Sequence, residues 1–89
     1  MIKLRITPAS VVDTVLRYEG TRKKLIERAK KLIGHKRVYF GNDGVETICN
    51  VSGQYGWSKV CRYKAGDKFD AARGAKLALL RALGLKGGE

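Results

Sequence analysis

Between residues 37 and 63 the chain sets β-branched and aromatic residues between two glycine-bracketed breaks, and this stretch limits the fold more than any other feature. Arg37–Phe40 runs into Gly41-Asn42-Asp43-Gly44, a strong turn signal. Val45–Val51 then reads as a return strand, Gly53-Gln54-Tyr55-Gly56 as a second turn, and Trp57–Tyr63 as a third strand. Short strands joined by tight turns make an antiparallel meander. Such a sheet needs a cover for at least one face, and the flanking sequence supplies helices.

The clearest helix runs from Thr21 to Gly34. Thr21 is a candidate N-cap and Gly34 a candidate C-terminal stop. Leu25, Ile26, Ala29, Leu32 and Ile33 share one apolar face. Ala71–Leu83 reads as the final helix, with Asp70 as its N-cap, Gly84 as its stop, and Ala72, Ala75, Leu79, Ala82 and Leu83 on one side. Gly74 inside that helix costs about 1 kcal/mol relative to Ala, which marks a close approach to a neighbouring backbone. Lys64–Phe69 reads as a loop.

Upstream, Met1–Ile6 alternates apolar and basic residues and reads as a short strand. Thr7 as N-cap with Pro8 at the first helical position opens a helix over Val11, Val12, Val15 and Leu16, which Gly20 closes. A strand over 11–18 competes with that helix, because four of its eight residues are β-branched. The expected fold is a single α+β domain over residues 1–89. A three-stranded antiparallel sheet carries helices on one face, in the order α-β-β-β-α after an N-terminal segment, and its other face is open.

The charge is distributed as unevenly as the secondary structure. The net charge is +11, well beyond what solubility requires. Residues 1–37 hold eleven Lys/Arg against three acids, and residues 59–89 hold eight against three. Residues 38–58 hold no Lys/Arg and two acids, Asp43 and Glu46. Clustered cations of this kind are the footprint of a polyanion-binding face. Lys23, Lys24, Arg28, Lys30 and Lys31 crowd one helix with Glu27 as the only acid among them, a poor arrangement for stability alone because like charges at i,i+4 repel. Arg73 and Lys76 stand near the start of the last helix, where its dipole favours anions, and Lys64 and Lys68 precede them. These nine residues are the candidate phosphate contacts. Of the aromatics near the strands (Tyr39, Phe40, Tyr55, Trp57, Tyr63), Phe40 belongs in the core. Tyr55 and Trp57 flank a turn and are the candidate stacking residues.

Little else suggests chemistry. His35 is the only histidine and sits at a helix end beside Lys36 and Arg37. Cys49 and Cys61 form no metal or redox spacing and read as small buried hydrophobes in a reducing, intracellular setting. No phosphate-binding loop, zinc-protease motif or CxxC is present. Neither enzymatic activity, nor a cofactor, nor a bound metal is expected. No apolar run approaches the roughly 18 residues of a membrane span, so no membrane partner is expected.

Two resemblances add to this reading. Val60-Cys61-Arg62, Gly66-Asp67-Lys68-Phe69-Asp70 and Gly74-Ala75-Lys76-Leu77-Ala78 resemble the corresponding features of a group of short, uncharacterised bacteriophage-encoded proteins over roughly residues 37–84. That likeness implies a phage origin, a bacterial host cytoplasm and no particular activity. The α-β-β-β-α order, with Arg73-Gly74-Ala75-Lys76 opening the last helix, is loosely similar to the double-stranded-RNA-binding domain. The departures are Gly41-Asn42-Asp43-Gly44 in place of that domain's Gly-Pro-x-His loop, and Asp70-Ala71-Ala72 in place of its Ser-Lys-Lys helix start.

Two functions follow as expectations. One is a small basic accessory protein that binds the phosphate backbone of DNA or RNA. The other is a protein-binding inhibitor of a host enzyme or defence complex, which would require an acidic surface on that host protein. The oligomeric state is left open, a homodimer included.

Overall fold

In the computed structural model, which describes residues 2–59 and 71–85, the chain order is β1 (Arg5–Thr7), α1 (Ala9–Arg17), a 3-10 turn (Tyr18–Gly20), α2 (Lys23–Ile33), β2 (Val38–Asn42), β3 (Glu46–Val51), β4 (Gln54–Lys59) and α3 (Ala71–Ala82). The strands form one antiparallel sheet in the order β1-β2-β3-β4. The α+β meander with helices packed on it is therefore present, with four strands instead of three. The added strand is the short N-terminal one, which pairs Arg5, Ile6 and Thr7 with Phe40, Tyr39 and Val38. Its pairing uses backbone groups along the free edge of β2, and three residues carry too little side-chain pattern to announce that.

Turn chemistry sets the register. At the first turn Asp43 Oδ1 accepts from the backbone N–H groups of Val45 at 2.9 Å and Glu46 at 2.8 Å, and Gly44 takes φ +90°. Those N–H donors, Glu46's foremost, hold the Asp43 carboxyl below its ordinary value. The second turn differs from the sequence expectation. It is the two-residue loop Ser52-Gly53, at φ +52° and +87°, and not the four residues 53–56. Two successive positive φ values match the right-handed twist of the strands they join, so the tighter closure prevails. Gly41 and Gly56 are consequently strand residues and not turn residues. The Lys3 carbonyl and the Ile2 side chain occupy the space a side chain at Gly41 would need.

Helix ends also depart from expectation in detail. Thr7 ends β1, and Pro8 takes the N-cap position with extended φ/ψ, its carbonyl accepting from Val11 and Val12. Thr21 does not cap α2. Arg22 holds the N-cap position, and the Thr21 hydroxyl donates to the Tyr18 carbonyl at 2.9 Å. Gly34 ends α2 at φ +55°, as expected. Gly84 ends α3 at φ +76°, and the Leu85 N–H reaches back to the Leu80 carbonyl at 2.8 Å, a Schellman closure. The expected Lys64–Phe69 loop and the Asp70 cap lie outside the described residues, as do Cys61 and Tyr63.

One core joins the layers. Val38, Cys49 and Val51 on the inner face of the sheet pack with Val12 and Leu16 of α1, Ile26, Ala29 and Ile33 of α2, and Ala78, Leu79, Leu80 and Ala82 of α3; Phe40 is half-buried against them. The expected apolar faces are trimmed at their edges: Val11 and Leu32 are exposed. α3 is buried on more than one side, because it lies on β3 and β4 while α1 and the 3-10 turn lie against it. Its sheet side is a row of small residues, Gly74, Ala78 and Ala82, at i, i+4 and i+8. A side chain at Gly74 would stand 2.8 Å from the Thr47 hydroxyl, and one at Gly56 would drive into the backbone of Ala78 and Ala82. Gly74 thus marks a close approach, as its sequence context suggested.

The Gly56→Ala variant should lose at least about 3 kcal/mol, the upper range of overpacking, because the methyl meets helix backbone and not a flexible side chain. Gly44→Ala, where nothing lies within 4 Å of the added methyl, should cost about 1 kcal/mol from its positive φ alone. Denaturant midpoints of the two variants check both; equal losses would show that α3 does not press on β4 as described.

Candidate nucleic-acid interface

The helical layer carries most of the described cations, and packing sorts them into three groups. α2 buries Ile26, Ala29 and Ile33, so the geometry of a helix leaves Lys24, Arg28 and Lys31 (i, i+4, i+7) as a stripe on its far side. At about 1.5 Å per residue this stripe is about 10 Å long. Lys23, Lys24, Arg28 and Lys31 are exposed and form no ion pair or hydrogen bond among the described residues. Glu27 stands among them as the single acid of α2.

Lys30 belongs to a second group. Its ammonium bonds Asp13 on α1, and the same carboxylate takes Arg17 at 2.9 Å. The Lys30 ammonium first, and Arg17 next, hold the Asp13 carboxyl below its ordinary value. A depressed carboxyl stabilises the fold above the ordinary carboxylate range, and the contribution is lost as pH falls through the lowered value. Lys30 therefore ties α1 to α2 at the α2 flank, with less of its charge on offer than its neighbours.

Lys76 is the clearest departure from the sequence reading. Expected as a surface phosphate contact, it is 8% exposed. Its ammonium donates to the Tyr18 carbonyl at 2.9 Å and to the Thr21 hydroxyl at 3.2 Å. The chain there passes through Glu19 at φ +57° and Gly20 at φ +66°, a costly path for a non-glycine residue. Lys76 thus clamps the α1–α2 connection onto α3, across 58 positions of sequence. Neither spacing nor composition could show this, since the partners are a backbone carbonyl and a hydroxyl remote in the chain. Arg73 is exposed on α3. Lys64 and Lys68 lie outside the described residues.

Two further features escaped the sequence reading. Lys36 and Arg37, exposed beyond the end of α2, join Lys30 and His35 around a cleft of about 540 Å³ whose floor is Val12, Leu16, Ile33 and Val38. Arg81, on the exposed side of α3, donates to the Trp57 carbonyl at 2.6 Å, which fastens α3 to β4.

The aromatic candidates sit elsewhere. Tyr55 and Trp57 are exposed, as expected, with ring centroids 5.6 Å apart and planes 21° from parallel. Strand alternation puts them on the outer face of the sheet, while α2 belongs to the layer on the inner face. The basic stripe and the aromatic pair do not converge on one ligand path.

Among the described residues, no group of three His, Cys, Asp or Glu is placed to hold a metal ion. Cys49 is buried, and desolvation pushes its thiol up to about 12, so it is a thiol and not a nucleophilic thiolate. No helix among the described residues is long and apolar enough to cross a membrane. The chain matches no protein-family model, no curated protein and no solved structure.

The Lys76→Met variant should lose about 2 kcal/mol of stability, the worth of charged hydrogen bonds to part-buried acceptors. If the chain binds nucleic acid through α2, the folded variant should keep the parent's dependence of that affinity on salt. A thermal or denaturant melt and a binding titration together check this; an unchanged melt with a shallower salt slope would place Lys76 at the interface after all.

Proposed function

We propose that this chain binds the phosphate backbone of nucleic acid, without reading base sequence, through the solvent-facing side of α2. Lys23, Lys24, Arg28 and Lys31 supply the contacts. The observation that carries this reading is the contrast within the cations themselves. Lys30 and Lys76 are consumed by structural partners, whereas the α2 stripe has none and bears the cost of like-charge repulsion. A row of unpaired cations on a rigid helix suits a polyanion, because the phosphates replace the missing counter-charges and release their own counterions. Duplex DNA advances about 3.4 Å per phosphate on each strand, so the stripe is long enough to follow about three. Such contacts position a protein and carry no base code.

Affinity for duplex DNA, duplex RNA and single strands across a salt series tests the reading. Four contacts on B-DNA give a slope of log affinity against log salt of about −3.6. Exposed substitutions move stability by less than about 0.5 kcal/mol each. The Lys24→Glu, Arg28→Glu, Lys31→Glu triple variant should therefore melt like the parent. Each lost attraction, on the order of 1 kcal/mol in water, becomes repulsion, so binding should fall by at least about 100-fold. If the triple variant binds as the parent does, the stripe is only a solvated surface, and an acidic protein partner becomes the reading to pursue.

A further inference from the structure

The cleft of about 540 Å³ opens where β1, α1, the end of α2 and the start of β2 come together. Its volume lies in the range of about 300–1,000 Å³ that holds one small molecule. The lining divides by chemistry. Its deep part is aliphatic: Val12, Leu16, Ile33 and Val38, each at most 8% exposed. At the lip Ile6 is 59% exposed, and Ala9 is exposed beside it on α1. The mouth is cationic. Lys36 and Arg37, in the segment between α2 and β2, are exposed, and their side chains form no ion pair or hydrogen bond among the described residues. Asp13 is the one acid among the described lining residues. Lys30 and Arg17 already engage it, so it does little to offset the charge at the mouth.

We propose that this cleft binds a single-chain amphiphilic anion, an aliphatic tail carrying a carboxylate or phosphate head. The tail enters between α1 and α2, and the head meets Lys36 and Arg37. Shape and composition select this occupant. A recess floored by residues so deeply buried admits a methylene chain and not a helix about 10 Å across. No aromatic ring lines it among the described residues, so it offers a nucleobase nothing to stack on. Branched aliphatic walls favour a tail that leaves water. The two cations give an anionic head charge-assisted hydrogen bonds, which Arg37 can form as a fork. A neutral lipid leaves those cations unanswered, and a short anion leaves the walls wet. The site is separate from the α2 stripe, because Ile33 faces the cleft while Lys24, Arg28 and Lys31 lie on the other side of the helix. The inference therefore stands or falls independently of nucleic-acid binding.

Calorimetric titration of the full chain with octanoate, decanoate and dodecanoate, each below its micelle concentration, tests this. Each added methylene should tighten binding about fourfold, the yield of one buried CH₂. Acetate, which is a head without a tail, and decan-1-ol, which is a tail without a charged head, should each bind at least about tenfold more weakly than decanoate. Decyl phosphate should bind in the same cleft, and the tighter of the two decyl anions identifies the head.

Two variants and a map of amide NMR shifts locate the site. The Lys36→Glu, Arg37→Glu double variant removes the cations, and Ala9→Trp crowds the lip. Both change exposed positions and should melt within about 0.5 kcal/mol per substitution of the parent. Each should weaken decanoate at least about tenfold. Decanoate should move the amide signals of Val12, Ile33 and Val38 more than those of Lys24, Arg28 and Trp57. Affinity that is flat along the chain-length series overturns the proposal. So do shifts centred on Lys24 and Arg28 or on Trp57, and so does decanoate binding that survives both folded variants.

Discussion

The contact on which the rest of this structure depends is the close seating of α3 on β3 and β4. Gly74, Ala78 and Ala82 present an almost bare helix backbone to the sheet, and the sheet answers with Gly56, also bare, and with Thr47. Helix and strand thereby approach more closely than ordinary side chains allow. The short distance lets Leu79 and Leu80, both fully buried, extend the core away from the sheet, where Leu16 and the α2 residues meet it. Dispersion between close-packed backbones is weak per atom and large in sum. The arrangement tolerates little, since the atoms facing Gly56 are backbone and cannot move aside. The Thr47 hydroxyl, buried at this contact with no hydrogen-bond partner among the described residues, is a cost that the packing around it offsets.

Cations hold the helical layer together as well as decorating it. Lys76 reaches from α3 to the chain between α1 and α2, and Lys30 reaches from α2 to α1. Each spans a junction that apolar packing alone would leave adjustable. Asp13 accepts both Lys30 and Arg17, so it neutralises charge on two helices at once. With Lys30 engaged, the cations of α2 left without a partner among the described residues are Lys23, Lys24, Arg28 and Lys31, on its outer side. The functional reading rests on this sorting and not on the net charge.

The molecule is two-faced. One side of the sheet carries three helices and their lysines; the other carries Tyr55, Trp57 and Ile6, with Lys59 at the end of β4 opposite Glu46. The two faces differ in the chemistry they offer, fixed cations on one and exposed rings on the other. Geometry permits both to be engaged at once, since they lie on opposite sides of the core.

The sequence by itself determined the α+β class, the antiparallel meander, the helix stops at Gly34 and Gly84, the exposure of Tyr55 and Trp57, and the crowding of lysines on α2. All of these are local: turn glycines, helical periodicity and charge along one element act within a few residues. Only the tertiary structure decided that β1 joins the sheet, that Gly56 is a packing site and not a turn, and that Lys76 is buried. It also decided that the aromatic pair and the basic stripe lie on opposite faces. Edge pairing uses backbone groups that every residue shares, and a glycine reads the same whether it bends the chain or admits a helix. A lysine's role depends on which carbonyl the fold brings within 3 Å of its ammonium, and for Lys76 that carbonyl lies 58 residues away.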